Sequence, residues 1–268
     1  MAADWGTRIV PSQRPKLRKR EIVFAVAMGA LAAGGAALTL SAFEDDGSPT
    51  PFVMGPDQLT YKVAPFDEIA TEGPQDVVVT YGDAQSVRAE GSPEAIALLE
   101  VVVENGQLNI RPRSRSWMWA WPQLNATTYY VTVPRLESVR LEGSGDIRVD
   151  KVEGKTFAGT IEGSGDLTLG SLKVDSAVFT VNGPGDISAA GTARETRVMI
   201  EGPGNIRANG LRTRTASVTV NGPGDAELTV DELVSVAVNG PGDVDIAGPA
   251  RCTISQSGPG DVDCESAD

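Results

Sequence analysis

The stretch Val181-Asn182-Gly183-Pro184-Gly185-Asp186-Ile187 recurs along the chain. Its core, Gly-Ser/Pro-Gly-Asp/Asn, begins at Gly143, Gly163, Gly183, Gly202, Gly222, Gly240 and Gly258, a spacing of 18 to 20 residues. A fixed period of this kind marks one supersecondary unit stacked on copies of itself. Apolar residues stand two and four places before the first Gly, as do Ile161, Val181, Val198 and Val218. They stand again four and six places after it, as do Leu167, Leu169, Ile187 and Ile246. Polar residues such as Thr160, Thr180, Thr168 and Asp245 fill the places between. Alternation with period two on both sides of a turn predicts two half-buried strands per repeat.

One such repeat cannot bury its apolar side alone, so its columns must lie over those of the next. Near-identical columns at one period predict in-register parallel pairing, at roughly 4.8 Å per layer. The expected fold is all-β: a single-stranded parallel β-helix, or solenoid, with 18–20-residue rungs. An antiparallel sandwich is the weaker rival, because it does not require matching columns. Within the turn, Pro184 suits φ near −65° and Gly185 a positive φ, which predicts a type II turn. The following Asp is expected to accept from turn amides or to face water. Pro65 through Asp76 echoes Pro134 through Asp146, with Gln75 in place of the second Gly. The β-helix domain is therefore expected over 65–268, irregular in 65–135 and regular in 136–264.

Residues 22–43 carry no charge and are rich in Ala, Gly, Leu and Val, long enough to span a bilayer. Arg14, Lys16, Arg18, Lys19 and Arg20 precede them, which by the positive-inside rule keeps residues 1–21 cytoplasmic. The expectation is a single-pass signal-anchor helix with the C-terminal domain in the periplasm or at the cell surface. A signal peptide cut after Ala42 is the alternative, but the uncharged run exceeds the usual apolar length. Residues 44–64, with Pro49, Pro51, Gly55 and Pro56, read as a linker.

The net charge is −13, yet residues 1–43 hold 6 Lys/Arg against 2 Asp/Glu, leaving −17 beyond them. Such a surface repels nucleic acid and anionic lipid. The absence of histidine removes Ser-His-Asp and Cys-His catalysis and disfavours zinc. Carboxylates remain. The column Asp146, Asp166, Asp186, Asn205, Asp225, Asp243 and Asp261 invites two sharp readings. One is calcium, a hard cation that wants oxygen ligands; it is the single cofactor considered, and solvated turn acids outweigh it. The other is a sugar-cleaving carboxylate pair. Catalytic acids would have to depart from the repeat, and these obey it. Cys252 and Cys264 flank the last corner in inward columns, so a disulfide there is expected in an oxidising compartment, with two buried thiols as the alternative.

One segment breaks the pattern: Arg111, Arg113 and Arg115 run into Trp117, Trp119 and Trp121. Exposed, it suits a binding loop for glycan, membrane or protein; folded back, it covers one face or end of the coil.

The Glu/Asn-Gly-Ser/Pro-Gly-Asp repeat, together with Phe66-Asp67-Glu68-Ile69, Asn105 to Ile110 and Val131-Thr132-Val133-Pro134, resembles the head GIN domain family of putative autotransporter adhesins. The resemblance covers residues 64 to 264 and implies an exported bacterial β-helix with no established catalytic residues. Pro for Ser in five corners and the Trp-rich insertion depart from the family pattern. The expected function is a non-catalytic, membrane-anchored adhesion or cell-envelope interaction module with a glycan or protein partner. A self-assembling scaffold and, behind it, a carbohydrate-active enzyme are the alternatives; oligomeric state is left open.

Overall fold

The computed structural model describes residues 50–55, 58–113 and 126–265. The expected anchor at 22–43 lies outside them, and among the described residues no helix is long and apolar enough to cross a membrane. Strands Leu167–Val181, Ile187–Ile200, Ile206–Val220 and Ala226–Asn239 each carry one repeat from corner to corner. They pair parallel, forming a β-solenoid of about six turns. Repeat columns become ladders: Ile147, Leu167, Ile187, Ile206, Ala226, Val244 and Val262 sit one above another. So do Val139, Gly159, Phe179, Val198, Val218, Val236 and Ile254.

These ladders are the core. Leu167, Val181, Ile187, Ile200, Ile206 and Ile246 are fully buried, as hydrophobic burial requires of a repeat that stabilises only its neighbours. Gly159 interrupts an apolar column for a packing reason. The rings of Phe157 and Phe179 lie 6.5 Å apart, and a Cβ on Gly159 would approach Phe179 to 3.3 Å.

The corners are not type II turns. None of the second glycines, from Gly145 to Gly260, has φ in the left-handed region; Gly222, Gly240 and Gly258, which open their motifs, do. The second Gly is demanded by stacking instead. A Cβ there would collide with the carbonyl oxygen of the corresponding residue one rung below, at every corner. The N–H of each donates to the first Gly of the rung below, as in Gly204 to Gly183 O at 2.9 Å. Ser144 and Ser164 add a second N–H to that same acceptor, at 3.1 and 2.8 Å. Proline loses only this redundant bond, so five corners tolerate it.

The amino-terminal echo is physical. Strand Glu68–Gly73 pairs parallel with Ser138–Gly143, Gly73 on Gly143. Strand Asp76–Tyr81 likewise lies beside Ile147–Val149. The intervening chain builds outward. Gln107–Pro112 and Thr128–Val133 form a further parallel layer on the other side of Glu68–Tyr81. Spatial order thus departs from chain order here. Gln75 can replace the second Gly because this outer layer leaves the corner after Ile110. Its side chain is fully buried there and donates to Thr71 Oγ1, Glu72 O and Ile110 O.

Beyond that layer the pairing turns antiparallel. Ser86–Glu90 pairs with Thr128–Val133, Gln58–Lys62 with Ser86–Glu90, and Thr50–Gly55 with Gln58–Lys62. Within the expected linker 44–64, the described residues 50–55 and 58–62 are thus paired strands. Tyr61 is buried and stacks on Tyr129 at 6.2 Å, which pins its strand to the domain. The hairpin Leu99–Glu104 and Gln107–Pro112 and the short helix Pro93–Leu98 complete this end. Ser92 caps the helix by accepting from Ala95 N–H.

Candidate functional site

The motif acids are brought into one file at the exposed or half-buried corners, and each accepts a backbone N–H, one of the two uses expected of them. Asp146 N–H donates to Asp76 Oδ1 at 2.9 Å, Asp166 N–H to Asp146 Oδ1 at 3.0 Å, and Asp186 N–H to Asp166 Oδ1 at 2.9 Å. The bonds continue through Asn205, Asp225, Asp243 and Asp261 at 2.8 to 2.9 Å. Each side chain thus accepts the one corner N–H that faces the rung below without a carbonyl in line. The residue after each Asp closes the corner from the other direction, as Ile187 N–H does to Asn205 O at 2.9 Å. This use explains why Asn205 substitutes freely: an amide oxygen accepts as well as a carboxylate.

The neighbouring outward column decides the charge of the face. Through the lower rungs it reads Arg148, Thr168, Ser188 and Arg207, and Arg207 pairs with Asp186 at 2.6 Å. Burial alone would raise the Asp186 carboxyl, but hydrogen bonds from Arg207 and Asn205 outweigh it and bring it below the usual carboxylate range. In the upper rungs the same column reads Glu227, Asp245 and Asp263. These line an open groove with Asp225, Asp243 and Asp261, and among the described residues none of the six makes an ion pair. Nor, among the described residues, do three carboxylates converge as a metal's ligands would.

A second acidic file, Glu72, Glu142 and Glu162, flanks the corners at the other end of the solenoid. Burial, then Glu162 and Glu72, push the Glu142 carboxyl up against the pull of Arg140.

Of the Trp-rich segment, Arg111 and Arg113 are described and both are engaged. Arg111 pairs with Glu100 at 3.0 Å and Glu104 at 3.6 Å across its hairpin. Arg113 donates from Nε to Ala97 O at 3.1 Å and from its backbone to Leu98 O at 2.9 Å, which ties the strand to the helix. Arg115, Trp117, Trp119 and Trp121 lie outside the described residues. Cys252 and Cys264 are joined as a disulfide across the last rung, with Cα atoms 6.7 Å apart. Sequence reasoning singled out the Asp file and its acceptance from corner amides, but missed that each donor lies on the next rung. The signal that could have found it is the one Asn in the column, which keeps the acceptor and drops the charge.

Known proteins now place this architecture. The solved structure of a putative adhesin from Bacteroides fragilis is similar, with TM-score 0.69 and 22% identity, covering 76% of this chain and 94% of that one. A putative lipid binding protein from Parabacteroides distasonis gives 0.60 and 18%, covering 81% and 96%. A putative adhesin from the same organism gives 0.56 and 19%, covering 81% and 97%. At these identities the likeness establishes the fold. No curated protein matches the chain. The sequence pattern of the family described as putative auto-transporter adhesin, head GIN domain, matches residues 65–250, and the chain belongs to that family.

Proposed function

We propose that this protein works by binding rather than turnover, as an adhesion or cell-envelope interaction module held outside the cytoplasm by an anchor at residues 22–43. The observation that carries the reading is the fate of its acids. Six Asp residues and one Asn spend an oxygen on the backbone of the adjacent rung, a structural use. An acid–base pair needs carboxylates set apart from their repeat counterparts, and the file offers none. Family membership and the adhesin-like neighbours support the same reading. Uncharged residues 22–43 behind a basic segment support the anchor, with the acidic domain in the periplasm or at the surface.

The contact surface proposed is the segment from Arg111 to Trp121, since aromatic and Arg side chains dominate binding hot spots. The test is a screen of envelope glycans and proteins against the full chain, with and without calcium, repeated with Trp117, Trp119 and Trp121 changed to Ala. Capture of a partner that weakens in the triple variant supports the loop; capture that persists unchanged removes it. Catalytic turnover of a glycan, lost when one Asp is neutralised, would overturn the binding reading itself.

A further inference from the structure

Every rung but the last is read by the rung above it. Asp146, Asp166, Asp186, Asn205, Asp225 and Asp243 each present Oδ1 to the next N–H in the file. Ile187, Ile206, Ala226 and Val244 each donate their N–H to the next corner carbonyl. At the last rung both groups face outward. Asp261 Oδ1 turns back to accept from its own neighbour, Val262 N–H, at 2.9 Å. The acceptor and donor that would receive another strand are paired with each other. Among the described residues no strand lies on the outer edge of Arg251–Ser257 or Val262–Cys264. Val262 and Cys264 are half-buried, and Ile254 is 45% exposed on the end of its apolar column.

We infer that the edge Asp261–Glu265 is a docking site for an extended basic segment that adds to the solenoid as one more parallel strand. Three features select this occupant. The ladder to be extended is parallel and in register, so the incoming strand must supply an N–H over Asp261 and a carbonyl over Val262. The outward side chains beside it are Asp261, Asp263 and Glu265, with Asp245, Glu227, Asp243 and Asp225 lining the groove below. Cationic residues at alternate positions answer them, and apolar residues between cover Val262 and Cys264. A second copy fits poorly. Two carboxyl-terminal ends related by a two-fold axis pair antiparallel, which breaks the Asp register and sets two acidic edges together. The inference goes beyond the adhesion reading and does not depend on the Trp-rich segment.

The experiment uses the full chain and the labelled peptide Lys-Val-Lys-Val-Lys, with Glu-Val-Glu-Val-Glu and an N-methylated basic peptide as controls. Fluorescence anisotropy is expected to show binding of the basic peptide alone. Affinity should fall about tenfold or more in about 0.5 M NaCl and in the Asp245→Asn/Asp263→Asn variant, where neither residue belongs to the corner file. The N-methylated peptide keeps the charge but lacks backbone donors and is expected to lose binding. Amide exchange at Val262 and Cys264 should slow when the basic peptide is present. Equal binding of acidic and basic peptides, or of the N-methylated one, would overturn strand addition. So would protection of the Cys264 N–H in the free chain, since that means the edge already has another occupant.

Discussion

The solenoid ends in two different ways. At the amino-terminal end the repeat gives way to antiparallel strands, a hairpin and a helix, with Tyr61, Tyr129, Ile96 and Leu99 buried beneath them. At the carboxyl end the repeat runs on to a rung that, among the described residues, pairs on one side only and is bridged by a disulfide. A repeat whose layers stabilise only their neighbours has no interior reason to stop. It must be ended by residues that break the pattern. One end does so with a whole irregular subregion; the last described rung carries instead a disulfide and acidic charge.

If the carboxyl end is held less tightly, one substitution should cost less there than in the middle. Gly204 is the sharpest probe. A Cβ there would come within 2.6 Å of Gly183 O and closer still to Gly185 O, with rungs packed on both sides. Gly204→Ala is expected to lose about 3 kcal/mol or more in urea unfolding, since backbone cannot yield as a side chain does. Gly260→Ala makes the same collision with Gly242 O but lies in the last rung, which can lift away. It should lose markedly less. Equal losses would mean the end is as firmly held as the middle.

The second test is to cut the staple. Reducing Cys252–Cys264, or changing both to Ser, should release about 3 kcal/mol of loop constraint. The effect is expected to be local. Amide exchange should accelerate in 251–264 while Leu167–Val181 and Ile187–Ile200 keep their protection. A uniform loss along the solenoid would show that the last rung is cooperative with the rest.

The third concerns the Asp file at its acidic end. Asp243→Ala removes the acceptor of Asp261 N–H and should cost about 1–2 kcal/mol. Asp243→Asn keeps an oxygen in place, as Asn205 does naturally for Asp225 N–H at 2.9 Å, and should be close to neutral. Thermal melts of the two variants separate the hydrogen bond from the charge. Equal losses in both would assign the role to charge and undo the ladder interpretation.

These regions also differ in how far the sequence reveals them. The regular rungs were legible because each column from Leu141 to Val238 is in contact with itself, so local pattern and tertiary packing carry one message. The corner was half legible. Gly and Asp were marked as turn residues, but a turn fixed by φ and a turn fixed by backbone stacking call for the same glycine. Only contact with the rung below distinguishes them. The amino-terminal end was least legible, because Glu68–Tyr81 is paired along one edge by strands after residue 106 and along the other by strands after residue 137. No period records such an insertion. Of the candidate site, the Asp file could be read as a column, whereas the change from Arg207 to Glu227, Asp245 and Asp263 in the neighbouring column means nothing until both share a face.

The smallest expected effect tests the charge at the better-closed end. Glu142 stands between Glu72 and Glu162, and its carboxyl is held above the ordinary value by burial and by those two neighbours. A folded-state value above the unfolded one means the folded chain binds more protons in that window. Its contribution is therefore most favourable at low pH and is lost as pH rises from the ordinary carboxyl value through the raised one. Glu142→Gln should flatten that dependence and leave the chain equal to or slightly more stable at pH 7, by a few tenths of a kcal/mol, because the site is partly solvated. The check is urea unfolding of both chains from about pH 4 to 8. A steeper dependence in the variant would mean that Arg140, which also contacts Glu162, and not the stacked acids, sets the charge balance of that file.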